Sequence, residues 1–165
     1  MKNLLLFSSL LALTLFLVQC QPAPTPKDII NDQFPEDQAA ITLILDDIYK
    51  SAQAKDLEKL ASFHLYGPKF SDFKDGLPRG NAEQNKQSEQ AVFSAVSNLE
   101  YDLRDVKVDV FGDVAVATFH GYFEGDMGEN HITMQLQGTL VFAKTDKTWK
   151  IVHEHFSPLN PANPI

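Results

Sequence analysis

Asp105-Val106-Lys107-Val108-Asp109-Val110-Phe111-Gly112-Asp113-Val114-Ala115-Val116-Ala117-Thr118-Phe119-His120 is the stretch on which the fold turns. Polar and apolar residues alternate on either side of Gly112-Asp113, and glycine holds the first turn position. That is the pattern of a two-residue β-hairpin. Opposed side chains in such a hairpin share one face of the sheet. Val110 then opposes Ala115, Val108 opposes Ala117 and Val106 opposes Phe119, an apolar face that should meet the core. Continuing the register puts Arg104 and Asp102 at the far end of that face. The other face pairs Phe111 with Val114, Asp109 with Val116, Lys107 with Thr118 and Asp105 with His120. It is mixed in character and should lie on the convex side.

Working outward, residues 101–111, 114–124, 131–143 and 149–156 read as four strands, with turns at Glu124–Asn130 and Thr145–Thr148. Upstream the period changes to that of a helix. Ile41, Ile44, Leu45, Ile48, Tyr49 and Ala52 form one apolar helical face behind the acidic start Glu36-Asp37. Asp56 caps a short second helix with Leu57, Leu60 and Ala61 inward, and His64-Leu65-Tyr66-Gly67-Pro68 breaks it. Lys69–Phe73 reads as a short strand. Asn81 and Gln84 have capping-box spacing for a third helix, on which Asn85, Glu89, Val92, Phe93 and Val96 share a face. Helices followed by an antiparallel meander define an α+β domain.

The closing stretch Trp149-Lys150-Ile151-Val152-His153-Glu154-His155-Phe156-Ser157, the segment Leu65–Phe73 and the run Val110–Ala117 resemble the NTF2-like superfamily, in its SnoaL-like branch. The resemblance covers residues 36–158. It implies an NTF2-like cone: three N-terminal helices packed on a curved antiparallel β-sheet around a conical pocket. It also implies a homodimer through the convex sheet face. The superfamily includes isomerases, dehydratases, cyclases and binding or assembly modules, so the fold leaves activity open.

The ends of the chain speak to location. Lys2 precedes the apolar run Leu4–Val18, with no acidic residue before Asp28, the layout of a signal peptide over residues 1–19. Leu17-Val18-Gln19-Cys20 resembles a bacterial lipobox, although Gln19 stands where Gly, Ala or Ser is usual. Cys20 is the single cysteine of the chain, so no intramolecular disulfide can form. It is followed by Gln21-Pro22-Ala23-Pro24-Thr25-Pro26, a Pro-rich spacer unsuited to helix or central strand. The expectation is a lipidated Cys20, a linker over 20–35, the domain over 36–158 and a tail over 159–165. The protein would be exported to the bacterial cell envelope and held at the membrane by its lipid.

The 165-residue chain carries 14 Lys and Arg against 22 Asp and Glu, a net charge of −8. This acidity argues against nucleic acid as a partner. No CxxC, Gly-rich phosphate loop, GxSxG or HExxH occurs.

Trp149 and Ile151 mark the core face of the last strand, and His153 and His155 continue their row toward the open end of the cone. The opposite row is Lys150, Val152, Glu154 and Phe156. The candidate pocket is therefore Tyr66, Phe70, Glu89, Phe93, Arg104, His153 and His155. Imidazole titrates near neutrality, so His153 or His155 with Glu89 is a candidate acid–base pair, and Tyr66 can add a hydroxyl donor. The two histidines lie about 7 Å apart by the strand rise, but no spacing supplies a third ligand, so no metal is expected, and no cofactor. Two functions stay open. The first is a lipid-anchored module binding a small apolar or amphipathic molecule without catalysis. The second is a cofactor-free lyase or isomerase using a pocket His/Glu pair. The sequence leans to the first. A buried, pre-paired Glu–His couple lining a cavity would favour the second.

Overall fold

A computed structural model describes residues 28–146 and 148–160. The expected signal peptide, Cys20, the first half of the expected linker and residues 161–165 lie outside the described residues. The elements run α1 (Pro35–Gln53), α2 (Leu57–Ser62), β1 (Ser71–Lys74), α3 (Ala82–Ala95), β2 (Val96–Phe111), β3 (Val114–Met127), β4 (Asn130–Lys144) and β5 (Trp149–Pro158). One five-stranded sheet has the order β1-β5-β4-β3-β2. Its long strands are antiparallel, and β1 joins the edge parallel to β5. Among the described residues no helix is long and apolar enough to cross a membrane.

The helices form where the sequence predicts. Pro35 opens α1 with Glu36 and Asp37 in the first turn, and Ile41, Leu45, Ile48, Tyr49 and Ala52 bury its apolar face. Asp56 accepts from the Lys59 backbone N–H to start α2. Asn81 Oδ1 accepts from the N–H groups of Glu83 and Gln84, while Gln84 Oε1 accepts from the Asn81 N–H, completing the capping box of α3. The concave face of the sheet packs on these helices through Val110, Ala115, Ala117, Phe119, Phe123, Leu140, Phe142, Trp149 and Ile151.

The Gly112-Asp113 turn is as expected: Phe111 faces Val114, and Gly112 adopts φ +72°. The four long strands are each longer than the alternation suggests. β2 begins at Val96, directly out of α3, because Asn98 (φ +50°) sits in a register shift that hides the strand period. β3 and β4 extend to Met127 and Asn130, leaving a two-residue turn in place of the expected Glu124–Asn130 loop.

Two bulges change which side chains face the core. The first lies in β2, where Asp105 adopts φ +51° and the register shifts between Arg104 and Lys107. One extra residue flips every side chain beyond it. The inner row therefore passes from Val108 to Leu103 and Tyr101. Arg104 moves to the outer face opposite His120, with its guanidinium 4.1 Å from the Tyr122 ring centre and Nε 2.6 Å from Asp102 Oδ2. The expected pairs Val106–Phe119 and Asp105–His120 are replaced. The second bulge lies in β5 at Val152, between the pairs Phe142–Ile151 and Val141–His153. Trp149 and Ile151 point inward as expected. Beyond the bulge the inward residues are Glu154 and Phe156.

Candidate functional site

The second bulge decides the site. His153 and His155, expected to face the helices, lie on the outer face. His153 Nδ1 is 3.0 Å from Ser71 Oγ, and His155 is exposed. His155 pairs with Thr139. With His120 and Asp105 it borders a shallow outer basin of about 330 Å³, floored by Thr118, Gly138 and Thr139. Arg104, also expected in the pocket, is exposed on that outer face. In their place β5 delivers Glu154, 2% exposed, into the interior.

Three residues converge on Glu154, from the segment after α2, from α3 and from β1. His64 follows α2 and is held by an isolated bridge to Ile151. Its Nε2 lies 2.7 Å from Glu154 Oε1, and its Nδ1 lies 3.3 Å from the Leu60 carbonyl. A carbonyl on one ring nitrogen and a carboxylate on the other favour a proton on both, an imidazolium–carboxylate pair. Asn85, fully buried on α3, donates through Nδ2 to Glu154 Oε2 at 2.8 Å. Its Oδ1 is thereby turned toward Tyr66, whose hydroxyl donates to it at 2.7 Å. Lys74 Nζ lies 3.6 Å from Glu154 Oε2. Tyr66 stacks on His64 at 4.8 Å between ring centres, and Phe70 packs edge-on to both.

Glu89 stands one helical turn from Asn85 on the same face of α3. Its Oε2 is 3.3 Å from the Tyr66 hydroxyl and its Oε1 is 3.7 Å from His64 Nε2. The Tyr66 hydroxyl donates chiefly to Asn85 Oδ1, the nearer acceptor, and only weakly to Glu89 Oε2. Burial, and then the negative charge of Glu154, push the Glu89 carboxyl up to about 7, against the opposing pull of His64 and Lys74. For His64, burial favours the neutral ring but is outweighed by the hydrogen bond and charge of Glu154, so its affinity for a proton is raised. Burial likewise opposes ionisation of Glu154, but the His64 hydrogen bond and charge win and hold it below the ordinary range. Burial raises the Tyr66 hydroxyl far above the usual phenol value, with the charges of Glu89 and Glu154 adding to it.

Glu89, Glu154 and Lys74 open onto a cavity of about 410 Å³ between α3 and the concave sheet face. The rest of its wall is largely apolar, including Tyr49, Leu60, Phe93, Leu99, Phe123, Met134, Leu140, Ile151 and Phe156. That size and lining suit a small ligand. Of the residues expected in the pocket, Glu89 and Phe93 line it. Tyr66 and Phe70 stand behind it, ordering the polar cluster. His64, Asn85, Lys74 and Glu154 were missed. The sequence signal for Glu154 was present: it alternates with Phe156, and a carboxylate in a core row needs a partner. His64, Glu89 and Glu154 each bring one ligand-type atom within 4.8 Å of the others, but the Lys74 ammonium beside Glu154 already supplies positive charge there.

A layer of helices on a curved, bulged sheet with a polar cluster at the base of an apolar cavity defines an NTF2-like α+β domain. Residues 41–161 match the SnoaL-like domain family, and the chain belongs to that family. Solved structures agree in fold. An NTF2-like protein from Streptomyces avermitilis, provisionally assigned as a dehydratase, superposes with a TM-score of 0.70 at 23% identity, over 76% of this chain and 98% of that one. An NTF2-like protein of unknown function from Pseudomonas putida gives 0.66 at 13% identity, over 81% and 100%. A Xanthomonas campestris protein provisionally assigned as a calcium/calmodulin-dependent kinase II association domain gives 0.61 at 18% identity, over 73% and 86%. No curated protein matches the sequence.

Proposed function

We propose that the domain is a cofactor-free acid–base catalyst, a lyase or isomerase, acting on a small apolar or amphipathic molecule in the cavity. The observation that carries this reading is Glu89, a largely buried carboxyl on an apolar cavity wall, 3.3 Å from the Tyr66 hydroxyl and 3.7 Å from His64 Nε2, with burial pushing its proton affinity up to about 7. Behind it His64 and Glu154 are already paired, which leaves Glu89 as the carboxyl free to exchange a proton with a ligand. A group whose proton affinity matches the working pH is the best proton carrier. Tyr66 and Asn85 fix its position, and the His64–Glu154 pair keeps the surrounding charge constant while Glu89 alternates between acid and base. The buried His64–Glu154 pair, with Glu154 on the cavity wall, supports catalysis over binding alone.

Incubating the domain with a panel of apolar carbonyl compounds in D2O, followed by NMR, tests this. Deuterium uptake beside a carbonyl, or elimination of water, is expected. Glu89→Gln should reduce the rate by roughly 10²–10⁴-fold. Binding of panel members without exchange or elimination in any of them would instead favour the carrier reading, to which the apolar wall is equally suited.

We further propose export and lipid anchoring at Cys20, supported by the leader and the Pro-rich spacer. Cys20→Ala should abolish acyl labelling and move the protein to the soluble fraction; unchanged membrane association would refute the anchor. A homodimer through the outer sheet face is also proposed. The exposed Phe111 and Val114, beside part-buried Val116 and Tyr122, support it. Sedimentation giving a monomer at all concentrations would refute it.

A further inference from the structure

His153 and His155 stand on the outer face of β5, beyond the Val152 bulge, and the register runs unbroken from one to the other. His153 lies between Val141 of β4 and Ser71 of β1, and His155 between Thr139 and Phe73. Side chains two apart on a strand share one face at a spacing of about 7 Å. That is close to the roughly 5–6 Å between Cβ atoms of a helical i, i+4 pair, the spacing at which two histidines of an HExxH helix hold one metal ion. The surroundings draw the two imidazoles together. One ring, Phe73, meets both edge-on, 5.9 Å from the His153 ring centre and 6.2 Å from that of His155. His153 Nδ1 is 3.0 Å from Ser71 Oγ. When Nδ1 donates to that oxygen the lone pair resides on Nε2, which is how an oxygen partner orients a metal-ligating histidine. His155 is exposed and borders the outer basin, which gives an ion a path from solvent.

We propose that His153 and His155 are a chelating pair for a divalent transition-metal ion, Cu²⁺ in first place, at a site separate from the cavity. Imidazole suits copper, nickel and zinc, whereas Mg²⁺ and Ca²⁺ take oxygen ligands. Tetragonal Cu²⁺ accepts two imidazoles in adjacent positions and water in the rest, so no third side chain is required. Structural zinc takes four protein ligands, which this pair does not supply. The Irving–Williams order likewise places Cu²⁺ above Ni²⁺ and Zn²⁺. The net charge of −8 favours approach of a cation. The opposing charge is Arg79, whose guanidinium lies 5.7 Å from the Phe73 ring centre. Arg79 is exposed, so water and salt screen it. In the sheet, β4 separates the pair from the β3 and β2 residues proposed for the dimer contact. The site is independent of the reading of Glu89.

Copper titration of the full-length protein, made without a polyhistidine tag, tests the site by calorimetry and EPR. One Cu²⁺ per chain is expected, bound more tightly than Ni²⁺ or Zn²⁺, with a tetragonal EPR spectrum showing hyperfine structure from two imidazole nitrogens. His153→Asn and His155→Asn should each abolish that signal. Ser71→Ala should weaken binding by roughly 10-fold, the lower end for loss of a partner that orients a ligand. Arg79→Gln should tighten binding, because it removes a positive charge. His120→Asn and His131→Asn should leave it unchanged. A wild type that binds no Cu²⁺, or a two-nitrogen signal that survives both the His153 and the His155 substitution, overturns the proposal. So does a signal lost in Glu89→Gln but kept in the His153 and His155 variants, which would put the ion on His64, Glu89 and Glu154 instead. Should either histidine variant fail to fold, the imidazole ¹⁵N shifts of wild-type protein on adding Zn²⁺ decide: movement of His153 and His155 supports the site, and movement of other histidines alone overturns it.

Discussion

Replacing Glu89 by glutamine should make the domain more stable at alkaline pH, although it removes a group from the centre of the site. The reason is the direction of the Glu89 shift, from 4.5 to about 7. A carboxyl whose proton affinity rises on folding contributes stability below its unfolded value, and that contribution is lost as pH climbs through the folded value. At pH 8 the buried side chain, 14% exposed, is charged and its full penalty is present. A change from 4.5 to about 7 corresponds to about 3 kcal/mol, at about 1.4 kcal/mol per tenfold change in proton affinity. Glutamine keeps the volume and can donate to the Tyr66 oxygen, but it never ionises. Glu89→Gln should therefore gain about 2–3 kcal/mol at pH 8, roughly 6–12 °C in Tm for a domain of this size. Near pH 4 the gain should vanish. Urea and thermal unfolding of both proteins at the two pH values read this directly. A variant that is no more stable than wild type at pH 8, or a difference that does not change with pH, would refute the reasoning.

Other substitutions probe the frame around Glu89. Glu154→Gln strips His64 of its counter-charge and should cost about 3–5 kcal/mol, read by urea denaturation, with the His64 ring losing its second proton at neutral pH in ¹⁵N NMR. The depressed Glu154 value adds a pH signature: its contribution, present above the unfolded value of 4.5, is lost as pH falls through the folded value. In Gly138→Ala the new Cβ would stand 2.6 Å from Cζ of the buried Phe119 ring and 2.9 Å from Phe156 Cε1. A loss of about 1–3 kcal/mol is expected by chemical denaturation. Asn81→Ala removes the cap of α3, the helix that carries Asn85 and Glu89, and should lower stability by about 1 kcal/mol in the same assay.

Much of the fold was legible in the sequence because its signals are local. The capping box at Asn81, the N-cap at Asp56, the apolar face of α1 and the Gly112-Asp113 turn each depend on residues a few positions apart. The site was far less legible, and the reason is specific. Period-two alternation assigns a face only while the register is unbroken. One extra residue at Asp105 carried Arg104 out of the pocket, and one at Val152 exchanged His153 and His155 for Glu154 and Phe156. Neither bulge is announced by a glycine or proline. Glu89 was found because α3 has no such break. His64 was missed because it lies in the irregular segment after α2, where no period applies. Its role depends on Glu154, 90 residues away.

The central claim is that Glu89 exchanges a proton with a cavity ligand near neutral pH. Titration of the Glu89 side-chain carboxyl by ¹³C NMR, assigned by its loss in Glu89→Gln, tests it most directly. The predicted midpoint is near 7, with the Glu154 signal remaining that of a carboxylate throughout the transition. A Glu89 midpoint at its ordinary value near 4.5 would contradict the account.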